Sequence, residues 1–177
     1  LVEAGKIRSV GVSNFNPERM RRAFQALQKR SLPLAVNQVR YSLMDRSIET
    51  NGILEAAKEL GVTIIAYTPL ASGLLTGKYH KDPDLLQKKP FLWRARIQRS
   101  IEKSRTLVMA LEEIGFRYNA TPAQVALNWV IHFQGDTIVT IPGATKVRQA
   151  EESAGAMKFK LSGNEMTRLD ELSRGYR

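Results

Sequence analysis

The sequence predicts an α/β fold built on a parallel β-sheet, and two observations support this prediction. Four short apolar runs recur along the 177 residues, and a helical pattern of apolar residues follows each of them. This alternation is typical of parallel strands joined by right-handed crossover helices. Periodicity does not decide whether the sheet is open or closed, but four β/α units would make half of an eight-stranded barrel.

The first two units carry clear start and stop signals. Residues 7–12 form the first apolar run, and Asn16 then predicts a helix start, because asparagine caps helix N-termini. Residues 34–39 form the second run. It precedes a helix near residues 50–60, which Gly61 would end in the left-handed conformation.

The third unit combines a buried strand with a long loop. Residues 62–66 are almost continuously apolar, which predicts a strand buried on both faces. Residues from about 68 to 93 are rich in Gly, Pro and Lys, and they predict an irregular segment of the kind that usually serves a function. Two helices follow, and Thr121 and Pro122 begin the second one.

The last unit completes a single predicted domain of residues 1–177. A strand is predicted at residues 137–141 and a helix from about residue 147. Ser162 and Glu165 have the spacing of a capping box, so a C-terminal helix is predicted at about residues 163–173.

Composition narrows the function classes. The net charge of +10, from 27 Lys and Arg against 17 Asp and Glu, suggests an anionic partner, either nucleic acid or a phosphorylated cofactor. An ordinary solvated basic surface is the alternative. The basic residues do not interleave with aromatic ones, so we expect no nucleic-acid binding.

The sequence predicts neither a metal site nor a membrane span. It contains no cysteine, and neither His80 nor His132 has a partner at metal-ligand spacing, so no metal site is expected. No apolar stretch approaches the roughly 20 residues of a membrane span. The first residues resemble a helix end closed by Gly5, so we expect a longer parent protein.

Polar residues follow each predicted strand. Ser13 and Asn14 end the first strand, Gln38 lies on the second, and Tyr67 ends the third. Ser, Asn and Gln offer donors and acceptors that suit a neutral amide, and Tyr67 offers a flat apolar face to an aromatic ring. Each residue alone also fits ordinary turn chemistry.

Two segments suit phosphate groups. Residues 73–78 have three residues between their glycines and no Ser or Thr after Lys78, so they are not a P-loop, although their backbone amides would suit a pyrophosphate. Residues 143–146 lead into a helix, where backbone amides and Lys146 would suit a 2′-phosphate. A solvated lysine at a helix start is the alternative. No Gly-x-Gly-x-x-Gly follows a strand, which excludes an ordinary Rossmann site.

Four segments, in this order, resemble the aldo-keto reductases. Residues 5–15 resemble the fifth-strand signature of that family, and residues 37–42 resemble its sixth strand. Residues 66–79 resemble the seventh strand with its cofactor loop, and residues 141–156 the eighth strand and helix. The resemblance runs nearly end to end. It is closest to the microbial and plant branch that includes the potassium-channel β-subunits.

This resemblance implies a (β/α)8 TIM barrel, of which the chain would supply about strands 5–8 as a half-barrel, and NADP(H) as the cofactor. The family usually has asparagine at the position of Ser153, so we expect weaker adenine recognition there. The implied cofactor-binding residues are Ser13, Asn14 and Gln38 at the carboxamide, Tyr67 at the nicotinamide ring, Thr68, Leu70, Ser72, Gly73 and Lys78 at the pyrophosphate, Gly143, Thr145 and Lys146 at the 2′-phosphate, and Gln149, Glu152 and Ser153 at the adenine end.

The resemblance also implies what the chain lacks. The Asp, Tyr, Lys and His that protonate the substrate oxygen in this family lie on its first four strands, so we expect no catalytic residue and no activity from this chain alone. The intact enzyme would reduce a small aldehyde or ketone. An NADP(H)-sensing regulatory or interaction subunit without significant turnover is the alternative.

The sequence also leads to expectations about self-association and cellular location. It would expose two strand edges and apolar helix faces, so we expect self-association. No membrane partner is expected. We expect a cytoplasmic location, and a plastid location would require an upstream transit peptide.

Overall fold

One parallel sheet organises the chain. A computed structural model describes residues 1–87 and 91–177, with the backbone alone for residues 91–93, 95 and 96. Four strands pair in the order β1-β2-β3-β4, and each pairing is parallel. This confirms the predicted α/β class with a parallel sheet. The strands are β1 (Val10–Ser13), β2 (Leu34–Arg40), β3 (Thr63–Tyr67) and β4 (Ile138–Ile141).

Helices connect the strands, and their predicted caps are confirmed. The side chains of Asn16, Thr121 and Ser162 each accept a hydrogen bond from the backbone amide three residues further on. Gly61 ends its helix with a φ of 65°. In the described residues the α-helices are α1 (Pro17–Gln28), α2 (Ile53–Leu60), α3 (Lys78–Lys81), α4 (Phe91–Arg117), α5 (Pro122–His132), α6 (Val147–Gly155) and α7 (Gly163–Ser173).

The first strand is shorter than its apolar run. β1 begins at Val10, whereas the prediction began it at Ile7. Val10 pairs with Leu34, and the residue before Leu34 is Pro33, which has no amide hydrogen to extend the ladder. Ile7 therefore lies outside the sheet and is 40% exposed. The other three strands match their predicted runs to within one residue.

Burial along β3 corrects the prediction that this strand is covered on both faces. Ile64 and Ala66 are buried, whereas Thr63, Ile65 and Tyr67 are half-buried. A continuous apolar run becomes buried on both faces only where layers pack on both sides of the sheet. Here the helices pack on one side only, so the burial alternates.

The uncovered side of the sheet is called the open face below. Cα pairing places Ser13, Gln38, Ile65 and Val139 in one row across the four strands on this side. Val139 is 48% exposed, and Ile141 further along the same strand is 46% exposed. The open face is therefore an apolar surface that ends in polar residues at the carboxyl ends of β1 and β2.

The segment after β3 is more ordered than the sequence predicts. Residues 68–93 were expected to be irregular, but they contain α3 and two 3₁₀ turns, Ala71–Thr76 and Pro83–Leu86. α4 begins within the same stretch, and residues 88–90 lie outside the described residues. Buried side chains such as Leu75 anchor the segment to the core. The Gly, Pro and Lys content of the segment does not indicate this packing.

α4 is the longest helix, with 27 residues. Leu107, Leu111 and Ile114 are buried on one side of it, while Met109 and Phe116 are exposed on the other. Neither α4 nor any other helix in the described part of the chain is long and apolar enough to cross a membrane.

A buried ion network joins the segment after β2 to the C-terminal residues. Arg46 has no exposed surface, and its Nη2 lies 2.7 Å from Glu49 Oε2 and 2.6 Å from Asp170 Oδ1. Its Nη1 donates to Ser173 Oγ at 2.8 Å, and the guanidinium lies 4.8 Å from the ring centroid of Trp129. Two carboxylates and an aromatic ring thus compensate for the desolvation of one cation.

Candidate functional site

Four predicted site residues meet at the carboxyl ends of β1, β2 and β3. Ser13 Oγ donates to the carbonyl oxygen of Gln38 at 3.1 Å, and the amide of Asn14 donates to the same oxygen at 2.9 Å. Asn14 Nδ2 donates to Ser13 Oγ at 3.2 Å. The Tyr67 hydroxyl donates to Asn14 Oδ1 at 3.3 Å. Amide, hydroxyl and ring groups therefore lie together at one edge of the open face.

Asn37 supports this cluster, although it is not among the site residues predicted from the sequence. Its side chain is fully buried. Nδ2 donates to the carbonyl oxygen of Phe15 at 3.0 Å, and Oδ1 accepts from the Phe15 amide at 3.4 Å. This pair of bonds fixes the chain just after Asn14. An asparagine on the core-facing side of an apolar strand was the signal available for finding it.

Strained backbone concentrates at the same edge. Asn14 has a φ of 56°, and Thr68, Ala71 and Ser72 have φ values of 54°, 49° and 56°. Such values are unusual for residues with a side chain, and for a β-branched threonine in particular. In the described residues the two other cases, Ser31 and Asn119, lie just beyond helices α1 and α4. Strain that surrounding packing maintains is a recurrent feature of functional sites.

The segment after β3 brings Lys78 back over its own glycine. A Cβ atom on Gly73 would lie 2.9 Å from Lys78 Cε, so the lysine side chain would have to shift if this residue were not glycine. Gly73 also has a φ of 90°, which favours glycine. The exposed Lys78 ammonium lies 4.8 Å from the ring centroid of Tyr79. Leu70 is half-buried next to these residues.

The N-terminus of α6 is occupied by its own glutamine. Gln149 Oε1 accepts from the Thr145 amide at 2.8 Å, from Thr145 Oγ1 at 3.2 Å and from the Lys146 amide at 3.2 Å. Gly143, Thr145 and Lys146 are exposed. These amide and hydroxyl groups are the donors predicted to bind a phosphate.

Glu152 and Ser153 are the two remaining site residues, and both lie on α6. Glu152 contacts α5. Glu152 Oε1 accepts from Thr121 Oγ1 at 2.8 Å, and its carbonyl oxygen accepts from Gln124 Nε2 at 3.0 Å. Ser153 is half-buried, and its carbonyl oxygen accepts from the Ala156 amide. The structure thus groups the site residues into a strand-end cluster, a segment around Gly73 and the N-terminus of α6.

Two titratable side chains outside these groups, His80 and Tyr41, have surroundings that matter for their chemistry. His80 Nε2 lies 3.1 Å from Ser104 Oγ, but that hydroxyl donates to the carbonyl oxygen of Ser100 at 2.7 Å. Burial, with a hydrogen bond to Glu49, raises the pKa of Tyr41. No group of three His, Cys, Asp or Glu side chains within residues 1–87 and 91–177 is placed to hold a metal ion.

Known proteins with similar sequences bear on this site. The family model that matches residues 1–174 is described as the Aldo/keto reductase family. "Aldo-keto reductase str7" of Strobilurus tenacellus is 38% identical over 98% of this chain and 51% of its own length. An aldo-keto reductase of Schizosaccharomyces pombe, yakc, named with NADP(+), is 40% identical over 91% of this chain and 46% of its own length.

A solved structure agrees with these relatives. The crystal structure of the thermostable aldo-keto reductase Tm1743, with the inhibitor epalrestat, superposes with a TM-score of 0.70 at 33% sequence identity. The superposition covers 97% of this chain and 50% of that one. The chain spans about half the length of the curated relatives it matches. The family match extends over nearly the whole chain and is supported by both sequence and fold, so this protein is a member of the aldo/keto reductase family.

Proposed function

We propose that this chain is the cofactor-binding half, about strands 5–8, of an NADP(H)-dependent aldo-keto reductase that reduces a small aldehyde or ketone. The observation that carries the proposal is the strand-end cluster of Ser13, Asn14, Gln38 and Tyr67. It combines amide-binding groups with an aromatic ring at the edge of a parallel sheet where α/β barrels bind their ligands.

The chemistry of the cluster fits a nicotinamide. A carboxamide has two N–H donors and one carbonyl acceptor, which match the hydroxyl and amide groups of Ser13, Asn14 and Gln38. The half-buried ring of Tyr67 is held by its hydrogen bond to Asn14, so it offers a fixed apolar face for stacking. When bound, the cofactor supplies the hydride for carbonyl reduction, and these residues orient its ring.

The phosphate groups fit the two basic segments. Gly73 and Lys78, with Thr68, Leu70 and Ser72 around them, would hold the pyrophosphate, since Lys78 is exposed beside a glycine-dependent turn. The amides at the start of α6, with Lys146, would hold the 2′-phosphate. Gln149, Glu152 and Ser153 follow along α6 towards the adenine.

Proton transfer to the substrate would come from residues outside this chain, so we propose that the chain alone has no reductase activity. The relatives reported above bear the names of reductases, which favours an enzyme over the sensing or interaction subunit. A cytoplasmic location remains part of the proposal.

NADPH binding by the purified chain tests the proposal directly. Saturable quenching of NADPH fluorescence is expected. Lys146→Ala should weaken NADPH binding about tenfold, because it removes a cation next to the 2′-phosphate, and should leave NADH binding nearly unchanged. Lys160→Ala, which removes an exposed lysine elsewhere, is the matched control.

The outcomes separate two parts of the proposal. Absence of NADPH binding in a sample with a native circular dichroism spectrum and a cooperative urea transition would refute the cofactor site in this chain. Equal losses for Lys146→Ala and Lys160→Ala would refute the 2′-phosphate assignment and leave the nicotinamide cluster to be tested by Tyr67.

A further inference from the structure

Asn51 and Gly52 form an asparagine–glycine pair just before α2. The Asn51 side chain is exposed. Gly52 has a φ of 82°, in the left-handed region that favours glycine. A Cβ atom on Gly52 would lie 3.2 Å from Pro17 Cγ at the start of α1. The fold therefore favours glycine here, and as a result residue 52 has no side chain to shield its own amide nitrogen.

The Asn51 side chain is folded back over the Gly52 peptide. Its Oδ1 accepts a hydrogen bond from the Ile53 amide at 3.1 Å, which forms an Asx turn. The ring that this bond closes contains both Asn51 Cγ and the Gly52 nitrogen, so the turn keeps these two atoms near each other. Because the hydrogen bond draws electron density from the side-chain carbonyl, it also makes Cγ more electrophilic.

The Gly52 amide is free, unlike the backbone nitrogens that follow the other asparagines. Among the described residues it has no hydrogen-bond partner. The Ala120 amide, which follows Asn119, donates to the Gly115 carbonyl oxygen at 2.9 Å. In the other five pairs the nitrogen after asparagine belongs to a proline (Pro17), donates to a side chain (Phe15 and Glu165) or lies inside a strand or helix (Gln38 and Trp129).

We infer that Asn51 is a site of spontaneous deamidation. The Gly52 nitrogen forms a bond to Asn51 Cγ and the bond from Cγ to Nδ2 breaks. Ammonia leaves with the Gly52 amide proton, and a cyclic imide remains. Water then opens one of the two imide bonds, which gives either aspartate or isoaspartate. In isoaspartate the main chain runs through Cγ. No atom is oxidised or reduced in either step.

The two products should affect α2 differently. Aspartate keeps a side-chain oxygen as the acceptor for the Ile53 amide, and its negative charge lies at the N-terminus of α2, where the helix dipole stabilises it. Isoaspartate lengthens the main chain and loses this acceptor, and it displaces Gly52 from its position beside Pro17. The isoaspartate form should therefore have a lower urea midpoint than the unmodified protein, whereas the aspartate form should not.

Peptide mapping by mass spectrometry tests the inference. The purified protein is incubated in mildly alkaline buffer, folded or unfolded in urea, and modification at Asn51 and Asn119 is followed with time. The rate at Asn51 in the folded protein should lie within about threefold of its rate in urea, because folding leaves the Gly52 amide free. The rate at Asn119 should be at least about tenfold lower in the folded protein, because the Ala120 hydrogen bond must open first. Equal protection of both asparagines by folding would overturn the inference.

Variants identify the modified residue independently. Asn51→Gln keeps the amide but lengthens the side chain, so it should abolish the acidic species that cation-exchange chromatography separates after incubation. Asn164→Gln replaces another exposed asparagine and should leave those species unchanged. Asn51→Asp should co-elute with one of them. Acidic species that persist in Asn51→Gln with a native circular dichroism spectrum would overturn the inference. None of these outcomes depends on NADPH binding.

Discussion

Gln149 Oε1 accepts a hydrogen bond from the backbone amide of Thr145 across 2.8 Å, and it also accepts from the Lys146 amide. The first amides of a helix have no partner within the helix, so this glutamine satisfies donors that would otherwise be free. These same donors are assigned to the cofactor 2′-phosphate in the proposed function. The phosphate would therefore replace the Gln149 oxygen as their acceptor.

Gln149→Ala should lower the free energy of unfolding of the cofactor-free chain by about 1 kcal/mol, the usual contribution of a helix cap. Urea denaturation followed by circular dichroism measures this change. Gln98→Ala removes the same type of side chain at an exposed position within α4, where it caps no helix. It should leave the urea midpoint nearly unchanged. Equal midpoints for the two variants would show that the Gln149 bonds contribute no stability.

The ring and the hydroxyl of Tyr67 have separable roles under the proposed function. Tyr67→Phe removes the hydrogen bond to Asn14 but keeps the ring, so NADPH affinity should fall no more than about threefold. Tyr67→Ala removes the stacking surface and should cost roughly 0.5–1.5 kcal/mol more, up to about tenfold in affinity. Fluorescence titration distinguishes the two. A larger loss in the phenylalanine variant would contradict the stacking role.

Arg46 should be among the residues most sensitive to substitution. Arg46→Met keeps an apolar stem but leaves the carboxylates of Glu49 and Asp170 without their central cation. We expect a loss of about 3 kcal/mol in the free energy of unfolding, at the lower end for a broken buried pair, since Arg177 still contacts both carboxylates. Urea denaturation measures it. Arg21→Met breaks an exposed ion pair with Glu59 and should change the midpoint little.

His80 should make stability depend on pH in the acidic range. Burial lowers its pKa, the hydrogen bond with the Ile101 carbonyl opposes this, and Arg105 lowers it further. Its Nδ1 is buried and has no hydrogen-bond partner among the described residues. In the unfolded chain His80 therefore binds a proton near its ordinary pKa of 6.5. In the folded chain it stays neutral to a lower pH. The unfolding free energy should thus fall as the pH drops below 6.5.

Urea midpoints at about pH 7.5 and about pH 5.5, on either side of the ordinary histidine pKa, measure this dependence. His80→Gln cannot titrate, so its midpoint should change less between the two pH values than that of the unmodified chain. His132→Gln replaces the other histidine, which is half-buried, and serves as the control. The same pH dependence in the unmodified chain and in His80→Gln would exclude His80 as its source.

Local signals in the sequence predict much of the fold. Apolar runs predict the four strands, and Asn16, Thr121, Ser162 and Gly61 predict helix ends that the structure confirms. These features depend on interactions between residues that are close in the chain. Polar residues at strand ends likewise predict that Ser13, Asn14, Gln38 and Tyr67 lie together, since parallel strands end at one edge.

Long-range pairing accounts for what the sequence does not predict. The partners of Arg46 in α7 cannot be identified from composition, because they are distant in the chain. The support that Asn37 gives to Phe15 depends on the register between β1 and β2. The alternating burial of β3 depends on which layers cover the sheet, and a run of apolar residues carries no information about that.

The contact between Arg46 and Asp170 also constrains the order in which the chain can fold. These residues are 124 positions apart, so the loop that their ion pair closes includes β3, β4 and the helices from α2 to α6. Closing such a loop is entropically costly until the intervening units have formed. During synthesis, the ion pair of Arg46 with Asp170 could not form until α7 has left the ribosome. Loss of α7 from Asp170 onward would leave that arginine with Glu49 and Trp129 but without the contacts that α7 provides.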